Sequence, residues 1–225
     1  MLHESISFPA FSFPANLEAI QQAVSVVEAA LEGKGGLGGL INNAGIAIGG
    51  PLMLQPMEEI RQHFEVNVFG LIQVTKAFLP LLGARPNHSA APGKIINISS
   101  VGGKMAAPFI GAYASTKHAV EGVSESWRRE LLLYGIDVII VGPGAVKTPI
   151  WDKGIKVDKY HDTPYGASSA NFADYARGES EKWLTLEFTG QRIANIFEKR
   201  KPKVRYAIVP QRLKTGRCLD CCPLA

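Results

Sequence analysis

The chain has 225 residues, 46% of them hydrophobic, and a formal net charge of +4. This length and composition fit one domain with a sizeable core and exclude a disordered or fibrous protein. No continuous run approaches the roughly eighteen apolar residues of a membrane span, and residues 1–13 lack the pattern of a signal peptide. We therefore expect a cytoplasmic protein without a transmembrane segment.

The first predicted elements are a helix and a short buried strand. Asn16 is a suitable N-cap for a helix whose apolar positions are Leu17, Ile20, Val24, Val27 and Leu31. The pair Leu40-Ile41 then predicts a strand that ends at Asn42-Asn43-Ala44-Gly45. Between them, Gly33 to Gly38 matches the dinucleotide fingerprint G-x-G-x-x-G, but that fingerprint needs a strand before it and a helix after it. Because the order here is reversed, we interpret these glycines as a linker.

A long helix is predicted from Pro56, which suits the first helical position, to about Leu82. Asn67 lies beside its apolar face, where a buried amide costs free energy unless it finds hydrogen-bond partners. From the residues alone, Asn67 is either a satisfied structural amide or part of a functional site.

The stretch from Lys94 to Lys117 carries the strongest chemical signal. A buried strand ends at Ser99 and Ser100, and a loop leads into a helix that carries Tyr113 and Lys117 four residues apart, on one face. A neighbouring ammonium is expected to lower the pKa of a phenol below its usual value of about 10. A serine hydroxyl can then polarise a carbonyl or alcohol oxygen while the tyrosine exchanges a proton with it.

The second half continues the alternation of helices and strands. Residues 136–141 are apolar except for Asp137, which is typical of a parallel strand covered on both faces, and lead into the turn Gly142-Pro-Gly-Ala-Val-Lys-Thr148. Residues 150–188 are aromatic and predicted to be irregular, either as a substrate lid or as core packing. A helix near Gln191–Lys199 and a strand at Val204–Val209 follow. This alternation predicts an α/β fold with a mostly parallel sheet and helices on both faces.

The C-terminal residues 210–225 are expected to form a flexible tail. Cys218, Cys221 and Cys222 could hold a metal, form a redox pair or carry a lipid, but no second ligand cluster accompanies them. We favour reduced thiols and expect no metal site. The basic residues from Lys199 to Arg217 lack a base-stacking motif, so we interpret them as a solvated segment and expect no nucleic-acid partner.

Taken together, these motifs resemble the short-chain dehydrogenase/reductase family of classical type, in particular its 17-beta-hydroxysteroid and retinol dehydrogenase-like members. Tyr113 and Lys117 match the family signature Tyr-x-x-x-Lys, and the family's spacing selects Ser100 over Ser99. Asn67-Val-Phe-Gly70 matches the setting in which a family asparagine holds a proton-relay water. The resemblance therefore implies a catalytic set, which is Asn67, Ser100, Tyr113 and Lys117.

The resemblance also implies NAD or NADP as the cofactor. The implied cofactor-binding residues are Asn43, Ala44, Gly45, Tyr113, Lys117, Pro143, Gly144, Val146 and Thr148. Asn43 would also tie the central strands together, Lys117 would bind the nicotinamide ribose, and Val146 and Thr148 would bond the carboxamide.

By this resemblance, the expected activity is the interconversion of an alcohol and a ketone or aldehyde by hydride transfer. Ser100 and Tyr113 would hold the substrate oxygen. The aromatic lid region at 150–190 suits a hydrophobic substrate such as a steroid, a retinoid or another lipid.

One part of the family pattern is absent from this sequence. Family members begin with a strand and a glycine-rich unit, Thr-Gly-x-x-x-Gly-x-Gly, that grips the cofactor pyrophosphate, and neither is found here. The resemblance thus implies a single domain over residues 1–225 with a Rossmann-like, doubly wound sheet that lacks its first strands. The alternatives are an incomplete version of a longer enzyme, a weakly active remnant, or an interaction protein, including a homo-oligomer, that associates through an open strand edge.

Overall fold

The computed structural model describes residues 17–33, 35–151, 158–178 and 180–210. The predicted cysteine tail and residues 152–157 of the aromatic region lie outside these ranges. Within them, the sheet follows the order of the chain, with strands β1 (Gly39–Asn42), β2 (Lys94–Ile98), β3 (Asp137–Pro143) and β4 (Arg205–Ile208). Each strand is parallel to its neighbour. Parallel neighbours need long crossover connections, which the helices supply, and the predicted α/β fold is confirmed.

The helices of the described residues are α1 (Leu17–Ala30), α2 (Met57–Phe64), α3 (Leu71–Leu82), α4 (Gly111–Glu130), α5 (Gly166–Gly178) and α6 (Leu186–Phe197). A π-helical segment, Glu65–Gly70, joins α2 to α3. The predicted helix over 56–82 is therefore continuous, but its middle is wound more loosely than an α-helix. Such segments are rare and occur often at functional sites.

The prediction of irregular structure over 150–188 is wrong in its second half. Helix α5 forms there, and α6 begins at Leu186 rather than near Gln191. Small and polar residues in α5 give no clear apolar periodicity, although alanine favours a helix. The start of α6 is set by Thr185, whose hydroxyl accepts a hydrogen bond from the Phe188 amide at 3.2 Å.

Alternate residues of the strands pack on opposite faces of the sheet. Ile95 and Val138 join the core cluster formed with α1, α3 and the segment after α4. Ile96 and Ile139 join a second cluster that includes Ile196 of α6. The period of two along each strand thus buries both faces and places helices on each side of the sheet.

A buried polar network ties the sheet to its helices. Asn42 Nδ2 donates to Asn97 Oδ1 at 2.8 Å and to Thr75 Oγ1 at 2.9 Å, and Asn97 Nδ2 donates to Ser124 Oγ at 2.8 Å. The prediction assigned this role to Asn43 and was wrong by one residue. Asn42 lies opposite Asn97 in the parallel register, whereas Asn43 follows the strand and is exposed.

By length and composition, the stretch Met57–Leu82 could cross a membrane, with a mean hydropathy of 1.3. Half of its most apolar window is buried inside the protein. A core helix of a folded domain passes the same test, so this stretch is weak support for a membrane span.

Candidate active site

The carboxyl ends of three parallel strands meet at one edge of the sheet. The segments that leave β1, β2 and β3 there contain residues 43–45, 99–100 and 144–148. In open α/β sheets, ligands bind in the crevice outside this edge. Ser100 and most of the predicted cofactor-binding residues therefore come from segments that leave the same edge, although they are up to 105 positions apart in the sequence. Asn67, Tyr113 and Lys117 come instead from helical segments.

Ser100 is held in place against Tyr113. Its Oγ accepts a hydrogen bond from the Gly102 amide at 3.0 Å, and its side chain lies close enough to the Tyr113 phenol to lower the pKa of that group. A Cβ on Gly102 would lie 3.4 Å from Ser100 Oγ and 3.5 Å from the Tyr113 ring, so the glycine leaves room for this contact. Ser99 is buried and turns its hydroxyl toward the Lys117 carbonyl at 3.5 Å. Ser100 rather than Ser99 thus lies beside Tyr113, and the catalytic role of Ser100 stays a prediction.

The sequence predicted a lowered pKa for the Tyr113 phenol, and this prediction is wrong. Burial raises the pKa of Tyr113, and the hydrogen bond from Ser100 opposes that effect in part. Lys117 Nζ lies 5.7 Å from the centre of the Tyr113 ring and donates to the Ile98 carbonyl at 2.9 Å. Loss of water around the phenol raises its pKa by more than the attraction of nearby groups for the phenolate lowers it.

The surroundings of Lys117 lower its pKa. Its side chain is buried, and burial lowers the pKa of its ammonium to about 8. A group with this pKa changes its charge close to physiological pH, as acid–base residues of active sites do. The environment, rather than the sequence spacing, sets the charge state of this lysine.

Asn67 lies within the π-helical segment and is buried. Its Oδ1 accepts from the Ile46 amide at 2.8 Å, while its Nδ2 donates to the Ile46 carbonyl at 2.9 Å and to Thr116 Oγ1 at 3.0 Å. These bonds fasten the loop after β1 to α4, the helix of Tyr113 and Lys117. Asn67 thus has a structural role in holding this loop against α4, and its role in a proton relay stays a prediction.

Gly45 is the point at which that loop approaches the candidate catalytic side chains. A Cβ at this position would lie 3.1 Å from Asn67 Oδ1 and 3.7 Å from Lys117 Nζ. The absence of a side chain therefore lets the backbone, and a ligand lying on it, come close to Lys117. Lys117 has further ammonium donors beyond the one that reaches Ile98, which fits the ribose hydroxyls of a nicotinamide cofactor.

The turn after β3 is held by two other segments. Gly144 N donates to the Ile208 carbonyl at 2.8 Å, and Val146 forms a parallel bridge with Leu184. The Val146 carbonyl also accepts from Trp151 Nε1 at 3.1 Å. This turn, predicted to contact the nicotinamide, is thus tied to two other segments, and the contacts of Val146 and Thr148 with the cofactor stay predictions.

An aromatic cluster that the sequence did not reveal lies beside the loop leading to Tyr113. The Phe109 ring lies 5.6 Å from Phe172 and 6.4 Å from Tyr165, centre to centre. Phe109 has a φ of 64°, which is rare for an aromatic residue and costs free energy. A lone phenylalanine in a loop carries no periodic signal. Among the other aromatic residues, Tyr160 is buried and Tyr175 is exposed, so this region combines core and surface.

Fold and site together define an NAD(P)-dependent oxidoreductase that acts on CH–OH groups. The family model described as short chain dehydrogenase matches residues 2–157. The chain therefore belongs to the short-chain dehydrogenase/reductase family, and the resemblance noted in its motifs is confirmed.

Two curated relatives illustrate this membership. The NADPH-dependent 3-dehydrocapnine reductase of Ornithobacterium rhinotracheale is 41% identical over 211 residues, which cover 93% of this chain and 72% of that protein. The 3-ketodihydrosphingosine reductase of Bacteroides thetaiotaomicron is 34% identical over 196 residues, or 87% of this chain and 70% of that protein.

A solved short-chain dehydrogenase from Streptomyces avermitilis has the same fold. It superposes with a TM-score of 0.67 at 28% identity, over 86% of this chain and 66% of that chain.

Proposed function

We propose that the protein interconverts a ketone and a secondary alcohol on a hydrophobic, lipid-like substrate, with NAD(H) or NADP(H) as the redox partner. The observation that carries this proposal is the placement of the Ser100 hydroxyl and the Tyr113 phenol side by side, next to the buried Lys117, at the carboxyl edge of the sheet. This pair can hold and protonate one oxygen atom, as carbonyl reduction requires.

The residues that would hold the cofactor come from the three strand ends. Asn43, Ala44 and Gly45 would lie along its adenosine side, while Lys117 would donate to its ribose. The turn after β3 would face the nicotinamide. When bound, the cofactor supplies the hydride for reduction or accepts it in oxidation.

The proton is handled by the protein's own side chains. In reduction, Ser100 Oγ would hydrogen-bond the ketone oxygen while Tyr113 gives that oxygen its proton; in oxidation, Tyr113 takes the proton back. Burial raises the pKa of Tyr113, so at neutral pH the phenol carries the proton that reduction needs. Asn67 would act by holding the loop of Ile46 and Gly45 against α4.

Two observations support a hydrophobic substrate. The aromatic cluster of Phe109, Tyr165 and Phe172 includes the loop that leads to Tyr113. Leu52, whose side chain lies 3.4 Å from the position that a Cβ on Gly111 would take, is 56% exposed. The names of the two relatives indicate enzymes that reduce a ketone at position 3, and one of those substrates is a sphingoid lipid.

Cofactor binding is tested by thermal unfolding with NAD, NADH, NADP or NADPH. A ligand at a hundred times its Kd stabilises the folded state by about 2.7 kcal/mol, which raises the Tm of a chain of this size by about 5–10 °C. We expect such a rise with one oxidised and reduced pair, which would identify the cofactor. No rise with any of the four, or no cooperative transition, would contradict the proposal.

A matched variant separates binding from chemistry. Tyr113→Phe keeps the ring and removes the proton donor, so we expect it to keep the thermal shift and lose reductase activity. Activity is followed by the absorbance of the reduced nicotinamide with long-chain 3-keto lipids as substrates. Full activity in Tyr113→Phe would rule out the proposed role of the phenol.

A further inference from the structure

A buried ion pair joins the last strand to helix α4. Arg205 Nε lies 3.0 Å from each carboxylate oxygen of Glu121, and the two side chains are 10% and 4% exposed. Lys104 Nζ lies 3.2 Å from the same carboxylate and is partly exposed. Taking two charges out of water is costly unless the geometry is good, so a pair in this position calls for an explanation.

Arg205 also reaches the backbone of Ser100. Its Nη2 donates to the Ser100 carbonyl at 3.3 Å, and the Gly103 amide donates to the same oxygen at 3.0 Å. The side chain passes over Gly142 of β3, where any Cβ would collide with the guanidinium. A residue of β4 thereby crosses β3 and holds the segment that follows β2.

The position of this contact connects it to the candidate chemistry. Ser100 has an extended backbone, with φ −165° and ψ 166°, and its Oγ is one rotatable bond away from that backbone. A shift of the Ser100 peptide therefore moves the hydroxyl away from Tyr113. Glu121 in turn fixes the guanidinium from α4, the helix that carries Tyr113 and Lys117.

We propose that Arg205, held by Glu121, is a positioning residue that fixes the Ser100 peptide and so keeps the Ser100 hydroxyl against Tyr113. This inference rests on the proposed function for its effect on turnover, but its structural part can be measured without cofactor or substrate.

A second arginine provides a matched control. Arg128 lies on α4, as Glu121 does, and donates to Asp137 Oδ1 at 3.3 Å and to the Val138 carbonyl at 2.9 Å. It thus joins a carboxylate and a backbone carbonyl, as Arg205 does, but at the opposite end of β3. If Arg205 were merely a structural anchor, replacing Arg205 or Arg128 by methionine should change hydrogen exchange in the same way.

The first measurement is amide hydrogen exchange by NMR on the full chain without cofactor. In Arg205→Met, we expect the amides of Gly102 and Gly103, which donate to Ser100, to exchange about tenfold faster or more, with the amides of the central strands unchanged. In Arg128→Met, the Gly102 and Gly103 amides should keep their wild-type rates. Unchanged rates at these two glycines in Arg205→Met, or an equal rise throughout the sheet, would overturn the proposal.

The double variant Arg205→Met with Glu121→Gln is used if the single variant does not fold, because it also removes the buried carboxylate charge that loses its guanidinium partner. It is expected to show the same local acceleration at Gly102 and Gly103. Slow exchange at both glycines in a folded double variant would also overturn the proposal.

Turnover supplies the second measurement. We expect Arg205→Met to lower kcat by about 10- to 100-fold with little change in KM, since a misplaced group weakens the transition state more than binding. In a Ser100→Ala background, the same substitution should have almost no further effect; multiplied effects would count against the proposal. A wild-type chain without reductase activity would contradict the proposed function, while the exchange rates would still decide whether Arg205 positions Ser100.

Discussion

At the scale of single residues, burial changes what the site residues can do. The spacing of Tyr113 and Lys117 predicted an ammonium that lowers the phenol pKa, but the structure surrounds both groups with protein. Burial raises the pKa of the phenol and lowers that of the ammonium, each time favouring the uncharged form. The Tyr113 phenol therefore stays protonated at neutral pH.

The lowered pKa of Lys117 predicts a pH dependence of folding. Lysine in an unfolded chain has a pKa of about 10.4, whereas burial lowers the folded value to about 8. Between these two values the unfolded chain binds the proton that the folded chain has released, so stability rises with pH in this window. The full change is about 3 kcal/mol, since each pKa unit corresponds to about 1.4 kcal/mol.

Urea unfolding from pH 7 to 10 measures this effect in the wild type and in Lys117→Met. The wild type should gain stability relative to this variant as the pH rises above 8. Lys76→Met, at an exposed position, should follow the wild-type curve. Parallel curves for the wild type and Lys117→Met would show that Lys117 titrates normally.

At the scale of elements, the loop after β1 and helix α4 are fitted to each other through Asn67 and Gly45. Sequence periodicity predicted the helix that carries Asn67 but not its π-helical segment. That winding depends on the packing of the side chains around it rather than on the spacing of apolar residues. The same holds for α5, whose small residues form a helix without an apolar stripe.

Gly45→Ala tests this fit. The new methyl group would lie 3.1 Å from Asn67 Oδ1, and that oxygen is already held by the Ile46 amide at 2.8 Å. We expect a loss of about 1–3 kcal/mol in the free energy of unfolding and a weaker thermal shift with cofactor. Denaturant unfolding measures the free energy of unfolding, and thermal unfolding with and without cofactor measures the shift.

Gly122→Ala is the matched control within α4. A Cβ there meets no atom within 4 Å, and alanine favours a helix over glycine by about 0.5–1 kcal/mol. This variant should therefore be slightly more stable than the wild type. Equal stability of the two alanine variants would show that the approach of Gly45 to Asn67 does not constrain the loop.

At the scale of the whole molecule, two clusters on opposite faces of the sheet hold the helices in place. Leu82 of α3 is fully buried in the cluster shared by α1, β2 and β3. Leu82→Ala should cost about 3–5 kcal/mol and lower the Tm by about 6–20 °C. Leu133→Ala, at a position 81% exposed, should change stability by less than about 0.5 kcal/mol. Calorimetry measures both, and equal melting temperatures would contradict this view of the core.

The sequence alone determined the family-level features of the protein. Continuous apolar runs predicted the parallel strands, because strands covered on both faces have no polar side. The helical spacing of Tyr113 and Lys117, after a strand ending in serine, predicted the chemical class. These features are local, so each is readable within about twenty residues.

Only the tertiary structure decided the rest. The side-chain amide that connects the strands belongs to Asn42 rather than to the predicted Asn43, because the register across the sheet sets which side chains meet. The tertiary structure brought Arg205 to Ser100, which is 105 positions away. It also raised the pKa of Tyr113. Each of these depends on which distant segments surround a residue and exclude water from it, and no local pattern in the chain contains that information.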